Sequence, residues 1–314
     1  MEFIIYGPNG EVRLVSVLEV SFFQPSFTLK YIACAAPIIL RLVSRLAMRP
    51  IIVLLKGGLN LILRMIGRRG SLLSMSDLKL LESEIFGFSP LMLEAKPVGI
   101  RISLSKISTE GAIFYLLPIV FKNDQNISTG AAKNYNVIDA GANIGVFSLY
   151  AAKLGAKRVY AFEPVKETYK ILKENIRINN MENIIVPVNM ALGDSAGKST
   201  IFFDEAGEGT ASLLQEGLER MPKKKRSQKV RVTTIDSFMG GKCKTGFIKM
   251  DVEGYEEKVL LGARKTIRKY KPVLSFSAYH KKDDKKRLPE VVRRIRKDYS
   301  IRLIHGSEDI FYCK

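Results

Sequence analysis

The sequence predicts an α/β fold: a mostly parallel sheet flanked by helices, Rossmann-like, behind a basic helical N-terminal extension. Three observations predict it. Residues 136–140 form a short apolar run that ends in Asp139 and turns through Gly141 and Gly145 into a helical pattern over 145–154. Residues 158–162 form a second apolar run, tipped by Glu163 and Pro164. Residues 247–250 and 271–280 supply two more, the first ending in Asp251 and Glu253, the second in Tyr279 and His280. Strand, glycine turn, helix and acid-tipped strand together build a nucleoside pocket, with the carboxylate on the ribose hydroxyls.

The remaining elements follow in order. Residues 166–179 read as a helix and 184–189 as the third strand, whose end lies near the adenine edge in this architecture. Asn189 is therefore a candidate adenine contact, with a plain turn asparagine as the equal alternative. Between the third and fourth main strands, residues 194–240 form a long insertion, with added strands over 200–203 and 229–233. Such an insertion over the carboxyl ends of the strands is well placed to shape an acceptor site. Upstream, residues 99–104 and 112–120 read as further strands.

The turn also selects its ligand. A dinucleotide fingerprint needs G-x-G-x-x-G, because backbone N–H groups must meet a pyrophosphate. This chain has Gly141 and Gly145, with Asn143 where a middle glycine would stand. Asp139 beside the turn repels a pyrophosphate and suits a ligand with a cationic end. S-adenosylmethionine fits: it carries an ammonium, a sulfonium and a ribose, and no phosphate. Asp139, Gly141, Asn143, Gly145, Glu163 and Asn189 are accordingly the candidate cofactor residues. A glycine turn that holds no ligand is the alternative.

At this point the chain resembles the FkbM family of methyltransferases. The resemblance rests on VIDAGANIGVFSL, on AFEP followed by Asn175, Asn179 and Asn180, and on NMALGD and VTTIDSF. It rests further on IKMDVEGYEEKVLLGA, the most specific block, and on AYHKKDD. These motifs run in order over residues 135–314. The resemblance implies a class I methyltransferase fold with a mostly parallel seven-stranded sheet, S-adenosylmethionine as cofactor, and hydroxyl groups of sugars, glycans or other small molecules as acceptors.

Methyl transfer to oxygen needs an acceptor held in line with the sulfonium methyl and a group to take its proton. Asp251, Glu253 and His280, at the tips of the fourth and fifth strands, are the candidates. A histidine titrating near neutrality suits a general base. The bland alternative for the two acids is capping the helix that begins near Tyr255. No metal is assigned, because the sequence offers Asp251 and Glu253 no further ligands. Neither an Asn/Asp-Pro-Pro-aromatic tetrapeptide nor a Pro-Cys pair occurs, which disfavours methylation of nucleic-acid bases.

Composition frames the rest. Cys34, Cys243 and Cys313 are too scattered for a disulfide framework or a zinc site and suit a reducing, cytoplasmic interior. His280 and His305 cannot make a His-rich metal site. Residues 1–3 lack the basic start of a secretion signal, and no run of 18 uncharged apolar residues predicts a membrane-crossing helix. The formal charge is +19. Its runs over 222–226, 281–287 and 293–297 read as solvated faces or a mobile loop, with attraction to an anionic partner as the competing reading.

The extension is assigned to residues 1–76 and the catalytic domain to 77–314. No acid stands between Glu19 and Asp77, while Lys30, Arg41, Arg45, Arg49, Lys56, Arg64, Arg68 and Arg69 do. Arg41, Arg45 and Arg49 share one helical stripe, broken by Pro50 and later by Gly57 and Gly58. This pattern reads as a helix lying on an anionic membrane surface or as a cap packed on the domain. Two other functions stay open: an RNA ribose 2′-O-methyltransferase, and a non-catalytic membrane-associated binding module on the same scaffold.

Overall fold

The computed structural model describes residues 2–9, 12–16, 92–95, 98–104, 132–204, 211–212, 225–240, 243–305 and 309–314. The acid-free segment over 30–69 and the expected strand over 112–120 lie outside them. Contacts divide the chain into two compact units, Met1–Phe121 and Lys122–Lys314.

The first unit contains a four-stranded antiparallel sheet, built from β1 (Glu2–Tyr6), β2 (Val12–Ser16), β3 (Met92–Ala95) and β4 (Ile100–Ser103), in the order β2-β1-β3-β4. Strand β4 is the one expected over 99–104. Residues 2–6 and 12–16, which the sequence assigns to the extension, pair as antiparallel strands, and β1 also pairs with β3.

The second unit begins with β5 (Asn136–Ala140), α1 (Val146–Lys153), β6 (Arg158–Phe162), α2 (Lys166–Ile178) and β7 (Ile185–Val188). There follow β8 (Ala191–Leu192), β9 (Gly197–Asp204), β10 (Ala211–Ser212), β11 (Lys225–Thr233), α3 (Ile235–Met239) and β12 (Thr245–Met250). It closes with α4 (Glu256–Gly262), α5 (Arg264–Tyr270), β13 (Val273–Ser277), α6 (Asp284–Ile295), β14 (Ile301–Ile304) and β15 (Ile310–Cys313).

Seven of these strands form one sheet in the order β14-β15-β13-β12-β5-β6-β7. The pairs β7–β6–β5–β12–β13 are parallel, and β15 alone runs against both its neighbours. This is the Rossmann-like class I methyltransferase architecture that the sequence predicts. All five residues of β5 are buried, as a central parallel strand requires. Ile138, Phe162, Ile248, Leu274 and Phe276 fill the core beneath the helices. On one side of β5 the chain steps outward through β6 and β7; on the other it continues through β12 and β13. That reversal leaves a crevice outside the carboxyl ends of β5 and β12, where ligands bind in open α/β sheets.

The insertion forms a second sheet together with β8, ordered β10-β9-β11-β8. Strand β11 starts earlier than expected. Lys225 and Arg226, read from sequence as the end of a loop, pair with Asp204 and Phe203. The lysines and arginines at 285–287 and 293–294 lie exposed on α6.

Candidate active site

The glycine turn is held by the protein itself. Gly141, Asn143 and Gly145 all adopt left-handed backbone, with φ of 78°, 51° and 94°. A Cβ on Gly141 would collide with the backbone carbonyl of Asp251, so this glycine lets the end of β12 close against the turn. A Cβ on Gly145 would reach the Leu172 side chain at 2.5 Å. A Cβ at either glycine would thus meet the protein itself, a constraint that holds whether or not a ligand lies over the turn. The buried Asn175 of α2 donates its amide to the Ile144 carbonyl at 2.8 Å and pins the turn from below.

Asp139 is fully buried. Its Oδ2 accepts from the Ser148 hydroxyl at 2.6 Å, and its Oδ1 lies 3.6 Å from the Lys249 ammonium. Burial pushes its carboxyl above the usual carboxylate range, against the pull of Lys249 and Ser148. The cation that meets Asp139 is thus the chain's own lysine. Lys249 also donates to the Gly141 carbonyl at 3.2 Å and stands 3.8 Å from Asp251 Oδ2.

Glu163, at the tip of β6, is buried as well. It accepts from the backbone N–H of Asn143 at 3.0 Å and of Val165 at 2.8 Å. Burial pushes its pKa up to about 7 despite those bonds. Asn189 donates to the carbonyls of Glu163 and Pro164 at 2.9 and 3.0 Å. Both amide hydrogens therefore tie the end of β7 to the end of β6. Gln228 of β11 reaches the same corner, donating to the Pro164 carbonyl at 3.2 Å.

The second group lies at the ends of β12 and β13. Asp251 Oδ1 accepts from Ser277 Oγ at 2.9 Å. His280 Nε2 lies 3.4 Å from Glu253 Oε2 and 3.8 Å from Asp251 Oδ1, while Nδ1 lies 3.1 Å from Glu256 Oε1. Burial alone would lower the His280 pKa. The Glu256 hydrogen bond and the charges of Glu256, Asp251 and Glu253 outweigh it and raise the pKa to about 9. The expectation of a histidine titrating near neutrality is corrected accordingly: three carboxylates keep it an imidazolium at pH 7. Glu253 itself sits in left-handed backbone, φ 52°, a costly conformation for an L-residue that clusters at functional sites.

The N-cap of α4 is Tyr255, whose side chain makes no capping bond, and Asp251 Oδ1 is engaged by Ser277. All three predicted catalytic side chains therefore converge at one cluster. Lys249, Ser148, Ser277 and Glu256 complete the arrangement; of these the sequence points only to Lys249, which with Asp251 on one strand motivates the ribose-methylation alternative. The Lys-x-Asp spacing on one strand carried the signal for Lys249, since alternate residues share a face.

Comparison with known proteins places this geometry in a family. The model of the methyltransferase FkbM domain matches residues 139–301. The chain is 28% identical over 166 residues to methyltransferase sdnD of Sordaria araneosa, covering 52% of this chain and 60% of that protein. It is 35% identical over 65 residues to the ribosomal protein L11 methyltransferase of Thermoanaerobacter sp. (strain X514), covering 21% of each. Among solved structures, it is similar to the methyltransferase FkbM from Methylobacillus flagellatus KT at 20% identity and a TM-score of 0.45, over 74% of this chain and 65% of that one. No helix among the described residues is long and apolar enough to cross a membrane. With the motif blocks in order and the matched span running from the acid of β5 into β14, the chain belongs to the FkbM methyltransferase domain family.

Proposed function

We propose that this protein transfers the methyl group of S-adenosylmethionine to a hydroxyl of a sugar, glycan or other small acceptor. The observation that carries the reading is the convergence of Asp251, Glu253 and His280 beside the carboxyl end of β5, in a chain of this family. The 141–145 turn and Glu163 would hold the cofactor, Glu163 offering its carboxylate to the ribose hydroxyls, and the cofactor would supply the methyl group to the β12 and β13 ends. Asp139 and Asn189 act through what they hold: Asp139 fixes Lys249 and Ser148, and Asn189 fixes the Glu163 tip.

An acceptor hydroxyl seated at the cluster attacks the methyl carbon with an oxygen lone pair. The carbon–sulfur bond breaks, its electron pair returns to sulfur, and S-adenosylhomocysteine leaves. The hydroxyl proton passes to the Asp251 or Glu253 carboxylate, since His280 is already protonated at neutral pH. The chain spans 60% of the first relative's length, and the acceptor is identified by experiment. Glycan, lipid and RNA fractions are incubated separately with labelled S-adenosylmethionine and the enzyme. Label in glycans or small molecules supports the reading; label in RNA alone replaces it with ribose methylation. Failure to bind S-adenosylmethionine overturns both.

A further inference from the structure

We propose that Asp251, Glu253 and His280 form a binding site for a divalent cation of the Mn²⁺ or Zn²⁺ kind, with Glu256 as the group that orients the imidazole. Their donor atoms, one from each side chain, lie within 4.8 Å of one another. A tetrahedral ion at roughly 2.0–2.2 Å from its ligands sets donors about 3.4 Å apart. Nε2 of His280 stands 3.4 Å from Glu253 Oε2 and 3.8 Å from Asp251 Oδ1, close to that spacing.

The second observation lies outside the three ligands. A metal-binding histidine characteristically gives its other ring N–H to a carboxylate, which fixes the tautomer and turns the free nitrogen to the ion. Glu256 does this here. Its side chain is 1% exposed; Oε1 contacts His280 Nδ1 and accepts from the Val252 N–H at 3.0 Å. Its Oε2 is buried with no hydrogen-bond partner among the described residues. The ring is thereby presented with Nε2 toward Asp251 and Glu253, and an ion entering there displaces the Nε2 proton of the imidazolium to solvent. Those two carboxylates are 33% and 28% exposed, which leaves a path for an ion and an open coordination position for an oxygen ligand.

The donor set selects the ion. One imidazole and two carboxylates suit borderline first-row cations; Ca²⁺ takes six to eight oxygens, and Mg²⁺ keeps most of its waters. At this position the cation would hold an acceptor oxygen and make its proton easier to lose. That catalytic part rests on the methyl-transfer reading; the binding does not.

The test uses the full chain without an affinity tag. Calorimetry with Mn²⁺ alone gives one site per chain, and pulsed EPR of the bound ion shows nitrogen coupling from one imidazole. Glu253→Gln weakens Mn²⁺ binding by at least about tenfold, with the melting transition retained. Absence of binding, binding without nitrogen coupling, or equal affinity in Glu253→Gln overturns the site. The EPR signature is read on the wild-type protein, so it decides the matter even if the variant fails to fold. S-adenosylmethionine titration of the same sample separates the two proposals. Cofactor binding without Mn²⁺ binding removes the metal site and keeps methyl transfer; the reverse result keeps the site and removes methyl transfer.

Discussion

The two halves of the crevice are built on opposite principles. Around β5 and β6, Asp139 and Glu163 are buried, and hydrogen bonds from Ser148, Asn143 and Val165 meet their carboxylates. Around β12 and β13, Asp251 and Glu253 keep part of their surface in solvent and converge on one imidazole. The first half is a buried frame; the second is the more exposed half, where the proposed reaction would take place. Acidic strand tips that look equivalent in sequence thus divide into those buried around the turn and those partly exposed beside His280.

The largest expected effect breaks the frame. Lys249→Met leaves Asp139 buried beside no cation and should cost about 3–5 kcal/mol in urea unfolding. Adding Asp139→Asn should recover much of that loss, because the uncompensated charge is gone. A single-variant loss below about 1 kcal/mol would show that Asp139 takes up a proton instead of needing the lysine.

Glu163 gives the next effect, through pH. Its pKa rises from 4.5 to about 7 on folding. Below pH 4.5 it is protonated in both states and costs nothing. As pH rises toward 7 the unfolded chain gives up the proton while the folded chain keeps it, so stability falls. Above about 7 the full cost, roughly 3 kcal/mol, persists. Unfolding of Glu163→Gln across pH 4–8 should lack that decline. Parallel curves for wild type and variant would remove Glu163 from the account.

On the reactive side the readout is rate. Asp251→Asn should lower methyl transfer on the order of a hundredfold while cofactor affinity stays within a few-fold. Equal losses in affinity and rate would place Asp251 in the frame. The smallest effect belongs to Asn189→Ala, which should lower stability by about 1 kcal/mol and loosen the Glu163 corner. Calorimetry of cofactor binding then sharpens the comparison: a weakened affinity shows that the frame acts on the ligand through its corner.

Much of this was legible because it is local. The turn between β5 and α1, the acid after β6 and the acids after β12 lie within a few residues of the strands that carry them. The three predicted catalytic residues met because β12 and β13 are parallel neighbours, which chain order in this architecture implies. What escaped depends on register. Lys249 stands directly opposite Asp139 across the β12–β5 pair, and a shift of one residue would turn it to the other face. No local pattern states that register. The His280 pKa escaped for the same reason, since Glu256 adds a third carboxylate only once α4 folds back. The glycines were legible as glycines, but their cause was the closeness of Asp251 and Leu172.

Lys249 belongs to both halves at once, 3.6 Å from Asp139 and 3.8 Å from Asp251. One ammonium divided between two acids makes them competitors. Whatever draws the lysine toward the β5 side leaves Asp251 more negative, and whatever neutralises Asp251 returns the lysine to Asp139. A ligand that displaced the lysine from one acid would press it toward the other, and linkage would make that effect on affinity equal in both directions.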